Sequence, residues 1–150
     1  MPASTLALAA HSEPSAIPVG SPIRVELTLA NLGSEPVWIN RRMSVGYPDD
    51  TLREIYVTVH DAGGAVVKVS ETERVDAHRS PPGRGDFVEL GPQQSLRASV
   101  DLTLWFPTRL PGRYTVAVTY ANDDAGGAFG LRGFTGAITA APFELTLAPP

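Results

Sequence analysis

This sequence predicts an all-β chain folded as an antiparallel β-sandwich of about seven to nine strands, and three observations lead there. Apolar and polar residues alternate with a period of two in stretch after stretch, the pattern of strands buried on one side only. Clusters of Gly, Pro, Asn, Asp and Ser separate those stretches, and no helical periodicity competes with them. At 150 residues and 15.9 kDa the chain, 1–150, is the size of one domain, which at this length buries roughly 68–70% of the surface exposed on unfolding.

Taken in order, residues 1–20 read as an edge strand and a proline-rich lead-in: Leu6 and Leu8 alternate, and Pro14 and Pro18 break the strand. PIRVELTLAN sets Ile23, Val25, Leu27 and Leu29 against Arg24, Glu26 and Thr28, and NLGSEP turns it. VWIN leaves open whether Val37 with Ile39, or Trp38, faces inward. REIYVTVHDAGGAVVKV aligns Ile55, Val57 and Val59, then makes an Asp-Ala-Gly-Gly hairpin before Val67 and Val69. SLRASVDLTL aligns Leu96, Ala98, Val100, Leu102 and Leu104. Trp105 and Phe106, just before Pro107, read as a core-capping corner. PGRYTVAVTY aligns Tyr114, Val116, Val118 and Tyr120. AITAAPFELTL aligns Phe143, Leu145 and Leu147 after an interruption at Pro142, which implies a sheet edge or a bulge.

Each inward Val, Leu, Ile or Phe contributes about 1.5–3 kcal/mol on burial. The alternation supplies about the twenty such positions that offset the ordering entropy of a chain this long. Tyr114 stands near the start of the penultimate strand, two residues ahead of the inward Val116. A tyrosine there bonds its hydroxyl back to the connecting corner, here LPGRYTV, in immunoglobulin-like sandwiches. The expected architecture is therefore immunoglobulin-like, with 41–52, 70–86 and 121–137 as its segments without strand character.

Net charge is −4, and among twelve basic residues only Lys68 is a lysine, which argues against a nucleic-acid surface. No apolar run approaches the roughly 20 residues of a bilayer helix, so no membrane insertion is expected. The absence of cysteine leaves neither disulfide nor thiolate metal site and favours a reducing cytoplasm. No Lys or Arg precedes the short apolar stretch at residues 6–10, so an export signal is set aside.

Catalytic constellations are hard to assemble. His11, His60 and His78 are not spaced with one another or with carboxylates as metal ligands would be, and His60 falls on the outward face of its strand. Carboxylates pair at Asp49 with Asp50, Glu71 with Glu73, and Asp123 with Asp124. Of these, Asn122, Asp123 and Asp124 form the calcium candidate, in competition with their ordinary role as turn formers. The tripeptide Arg84-Gly85-Asp86 reads as the end of a solvated loop rather than a receptor motif. Gly-rich DAGGA and DAGGAFG lack the lysine and following helix of a phosphate cradle. No cofactor is implied.

The 121–137 loop offers main-chain donors and acceptors and the apolar points Phe129, Leu131 and Phe134 beside Asp124, Gly126 and Gly127. Two readings stand equally: recognition by shape, or a long hairpin whose Phe129 and Phe134 cap the open end of the core. Sugar stacking on Trp38, Tyr47, Trp105 or Tyr120 is a further option.

The stretches PIRVELTLANLGSEPV, FVELGPQQSLRASVDLT, PGRYTVAVTY and FTGAITAAPFELTL resemble the immunoglobulin-like accessory domains of bacteria, including those preceding the catalytic domain of some deuterolysin-type metallopeptidases. The second half is also similar in layout to bacterial intracellular proteinase-inhibitor domains. The likeness spans roughly residues 20–147, and its motifs encode strands, turns and corners. The zinc-binding His-Glu-x-x-His motif is absent, so the resemblance implies a non-catalytic module. The leading expectation is a non-enzymatic protein-interaction or accessory module with a protein partner, using those three loops or an exposed edge strand. A proteinase inhibitor and a carbohydrate-binding module are the alternatives, with a small hydrolase using His78 or His60 behind them. An edge-strand homodimer stays open, although Pro14, Pro18, Pro22 and Pro142 are placed to blunt edges.

Overall fold

Over most of each described alternating stretch the backbone is extended. The computed structural model describes residues 5–12, 15–46, 54–67, 81–106 and 110–149. Eleven strands appear among them: β1 (Leu6–Ser12), β2 (Ala16–Pro18), β3 (Arg24–Asn31), β4 (Val37–Asn40), β5 (Val45–Gly46), β6 (Ile55–Asp61), β7 (Phe87–Leu90), β8 (Ser95–Asp101), β9 (Gly112–Asn122), β10 (Gly136–Thr139) and β11 (Phe143–Ala148). The only helical segments among the described residues are three short 3-10 turns.

One sheet runs β1-β3-β8 and the other β2-β11-β9-β6-β5, with β10 also paired to β9; β4 and β7 form a separate two-stranded ribbon. All pairings are antiparallel except the short border pairs β2 with β11 and β5 with β6. Inward residues of both sheets join one core: Ile23, Val25, Leu27 and Leu29 from the β3 segment, Ile55, Val57 and Val59 from β6, and Val116, Val118 and Tyr120 from β9. The fold is the expected all-β sandwich, with eleven strands among the described residues where seven to nine were expected, because border strands as short as β2 and β5 are too brief to show an alternation.

Four details depart from the sequence reading. Residues 16–18 are not simply a break: after Ser12 the chain crosses to the other sheet and lays β2 parallel to β11, Ile17 opposite Leu147. Pro14 lies outside the described residues. The strand expected to reach residue 104 stops at Asp101, where Asp101 Oδ1 accepts from Thr103 N at 2.9 Å and starts a 3-10 turn over Thr103–Trp105. Leu102 and Phe106 are nevertheless fully buried, so the corner still caps the core. The 41–52 segment contains β5, and the 121–137 loop is shorter than its expected bounds, since β9 runs through Asn122 and β10 begins at Gly136.

VWIN resolves with Ile39 buried and Trp38 half-buried. Around Pro142 the register slips by one residue: Thr139 opposes Thr119, but Phe143 opposes Val116, so three residues on one side face two on the other. That is the bulge the proline called for, because a residue without an N–H cannot continue a ladder.

The tyrosine corner is present. Tyr114 donates its hydroxyl to Leu110 O at 2.7 Å, and its ring meets Phe106 edge-on at 5.2 Å. Replacing Tyr114 with Phe keeps the packing and strands the carbonyl, so Tyr114→Phe is expected to cost about 1 kcal/mol of unfolding free energy, measured by urea denaturation with an unchanged slope.

Candidate functional site

Strand parity carries polar residues into the interior at the end of β9. The inward set Tyr114, Val116, Val118, Tyr120 continues to Asn122, which is buried although it is an amide. Its two amide hydrogens go to Asp124 O at 2.8 Å and Phe134 O at 2.7 Å, closing the loop that follows. Its Oδ1 receives Asn40 Nδ2 at 3.3 Å. Asn40, at the end of β4, is 1% exposed; its own Oδ1 accepts from Arg42 N at 3.0 Å, and its carbonyl accepts the Tyr120 hydroxyl at 2.9 Å.

Against these amides sits Glu54, 2% exposed at the entry to β6. Its Oε2 takes Arg42 Nη2 at 3.1 Å and lies 3.5 Å from Asn40 Nδ2, while Oε1 accepts from Ser44 N at 3.1 Å. A charge this deep is tolerated only when paired and hydrogen-bonded, and losing one member of such a pair typically costs about 3–5 kcal/mol. The pair therefore fixes how the chain on either side of β5 meets β4 and β9.

This polar cluster opens into a cleft of about 330 Å³. Asn40, Glu54 and Asn122 form its buried floor. Its walls come from three separate places in the sequence: Arg42 from the first loop, Pro81 and Pro82 from the second, Asp123 to Ala125 from the third. Residues from each of the three segments expected to lack strand character thus line one cleft.

Of the residues singled out in the third loop, Asn122, Asp123 and Asp124 line the cleft. Asp124 Oδ1 accepts from Gly126 N at 2.8 Å, the geometry of a self-closing Asp turn. Gly126 sits at φ +77°, and a Cβ there would come within 3.1 Å of Leu131, so the loop requires glycine. Gly133 meets a tighter limit, since a Cβ would lie 2.9 Å from Ala125 O. Gly127 and Phe129 bound a 3-10 turn. Phe134 turns inward to stack on Tyr120 at 6.1 Å, and Phe129, 38% exposed, leans on Phe87 at 6.3 Å. The capping geometry is thus explicit for Phe134, while Phe129 covers Phe87 from outside.

Other candidates fall elsewhere. His11 is exposed, and His60 is half-buried opposite Thr115; neither lines the cleft. Tyr47, Asp49, Asp50, Glu71, Glu73 and His78 lie outside the described residues. Arg84–Asp86 forms a 3-10 turn leading into β7, held by Arg41 N to Asp86 O at 2.8 Å and Arg41 Nε to Gly85 O at 3.2 Å. Trp105 and Tyr120 are core residues, which removes two of the four rings considered for sugar stacking.

Sequence reading missed Asn40, Arg42 and Glu54. For Asn122 the signal existed, since parity alone puts it inside. For Glu54 parity misleads, because it precedes the inward Ile55 and should point out; its burial comes from the loops folding over it.

No protein-family model matches this chain, and no curated protein matches it. Among solved structures it is similar to the CARDB domain of a Pyrococcus furiosus protein, solved in complex with di-metal ions, at 14% identity and a TM-score of 0.42, over 97% of this chain and 94% of that one. It is also similar to a structure described as an ApaA protein from Bordetella pertussis, at 15% identity and a TM-score of 0.46, over 95% and 92% of the two chains. Nothing about this chain's cleft follows from likeness at that level.

Burial pushes the Tyr120 phenol well above its ordinary value of 10.0, and the nearby Glu54 adds to it. The folded state thus holds the proton more tightly than the unfolded one. The stability this gives is complete below pH 10 and drains as pH rises above it. Alkaline titration of the unfolding free energy is expected to fall above about pH 10. Tyr120→Phe should be less stable at neutral pH by about 1 kcal/mol, with a visibly shallower alkaline fall.

Proposed function

We propose that this chain is a non-enzymatic interaction module that takes a segment of a partner protein in the cleft at the loop end of the sandwich. The observation that carries this reading is the convergence of three sequence-distant loops on one polar concavity. At about 330 Å³ the cleft lies at the small end of the usual ligand-pocket range of roughly 300–1,000 Å³. It suits one or two side chains of a partner rather than a large cofactor. The one charged group of its floor is already occupied: Glu54 is held by Arg42 of the wall, by Asn40 and by the Ser44 amide, an arrangement that orders loops. On this reading the resemblance of the strands to bacterial accessory domains extends to role, with the sandwich as support and the loops as the contact surface.

A displayed-peptide selection against the chain tests this. Enriched peptides should lose at least about tenfold in affinity on Asp123→Arg, an exposed rim change, and on Ala125→Trp, which fills the cleft. Selection that enriches nothing, or peptides indifferent to both changes, overturns it.

A second reading, a proteinase inhibitor, is favoured by the exposed Arg84 at the tip of a turn braced by Arg41. Incubation with a panel of serine and metalloproteinases should then give stoichiometric inhibition of an enzyme that accepts arginine, abolished by Arg84→Ala. A panel left fully active removes the reading.

A further inference from the structure

The border of the smaller sheet formed by β8 is open: among the described residues β8 pairs with β3 alone. The borders of the larger sheet are short, β5 having two residues and β2 three with Pro18 among them. The β1 border is as long as β8 but holds no carboxylate and no Lys or Arg.

Which backbone groups β8 leaves free follows from its ladder. Asn31 N donates to Gln94 O at 2.9 Å and Leu102 N donates to Ile23 O at 2.7 Å, and between them Leu29, Leu27 and Val25 oppose Leu96, Ala98 and Val100. The even-numbered residues spend their N–H and C=O groups on β3. Ser95, Arg97, Ser99 and Asp101 therefore aim theirs outward.

The same four side chains lie on the outer face of the sheet, all exposed. Neither Arg97 nor Asp101 makes an ion pair within the chain among the described residues. Their spacing is self-complementary. With a two-fold axis through Ser99, an antiparallel copy of the strand sets Arg97 opposite Asp101 and Asp101 opposite Arg97, and these pairs, with Ser99 opposite Ser99, join residues whose backbone groups point outward. A centre at Arg97 or Asp101 puts like charges against each other, and centres at Ala98 or Val100 set both charges opposite hydroxyl residues. On the inner face the Ser99-centred register brings Ala98 against Val100 of the second copy and covers Leu96 and Ala98, which the single chain leaves half-buried.

We propose that β8 is a homodimerisation edge, pairing antiparallel with β8 of a second copy about an axis at Ser99 and joining two three-stranded sheets into one of six strands. The contact is isologous, and the register is set by the Arg97–Asp101 cross-strand pairs. It uses a surface separate from the loop cleft, so it stands or falls independently of the interaction reading.

Sedimentation velocity of the full chain from about 1 µM to about 1 mM tests it. A monomer–dimer equilibrium is expected. Its dissociation constant should rise at least about tenfold on Arg97→Glu, which sets two carboxylates opposite each other, and on Ser99→Pro, which removes an outward N–H without touching the β3 ladder. Exchanging the charges with Arg97→Asp and Asp101→Arg together should restore association relative to Arg97→Glu. Melting curves taken below the association range check that each variant folds. A wild-type chain monomeric at the highest concentration, or a dimer whose constant moves with neither Arg97→Glu nor Ser99→Pro, overturns the proposal.

Discussion

The structure depends on the parity of β9. Among the described strands it alone pairs with three others, β6, β10 and β11, and its inward residues Val116, Val118 and Tyr120 are at most 1% exposed. Sliding that strand by one residue would turn every one of those side chains to solvent and bring Thr115, Ala117 and Thr119 inside. Hydrophobic burial therefore fixes register as well as stability, and the bulge at 140–142 accommodates the proline without disturbing it. The corner bond of Tyr114 anchors the start of the strand, and the Asn122 amide anchors its end.

The polar interior is a consequence of where strands stop. A strand that ends inside the sandwich leaves backbone groups without ladder partners, and a buried amide side chain supplies both donors and acceptors to meet them. Asn31 does this for β3: its Nδ2 reaches Glu35 O at 2.7 Å and Leu90 O at 3.0 Å, and its Oδ1 accepts from Gly33 N at 3.0 Å. Asn122 does it for β9, and Asn40 joins β4 to both Asn122 and Glu54. The Arg42–Glu54 pair extends this network outward to the cleft, so a set of buried, hydrogen-bonded polar groups lies beneath its loops. That coupling of rigid floor to loop wall is the physical basis for reading the end of the sandwich as a contact surface.

Composition also acquires a structural meaning. The Gly and Ala content of 124–133 is not a lack of chemistry: Gly126 needs a left-handed backbone and space for Leu131, and Gly133 allows a close approach to Ala125 O and Trp38 O. The aromatics on either side of that loop are divided, Phe134 inward onto Tyr120 and Phe129 outward over Phe87. The loop is thus fixed by packing and hydrogen bonds at both ends, with Asp123 and Asp124 left at the cleft.

The sequence by itself determined the class of fold, the inward face of each long strand, the tyrosine corner and the break at Pro142, because period-two alternation and proline's missing N–H are local facts that tertiary contacts reinforce. It also named the three segments from which the cleft is built. Only the tertiary structure decided that those segments meet, that β1 hands over to β2 in the opposite sheet, and that Glu54 points inward against its strand's parity. Such features depend on pairings between residues tens of positions apart, and a one-dimensional pattern carries no term for the ion pair and amides that make a buried carboxylate tolerable.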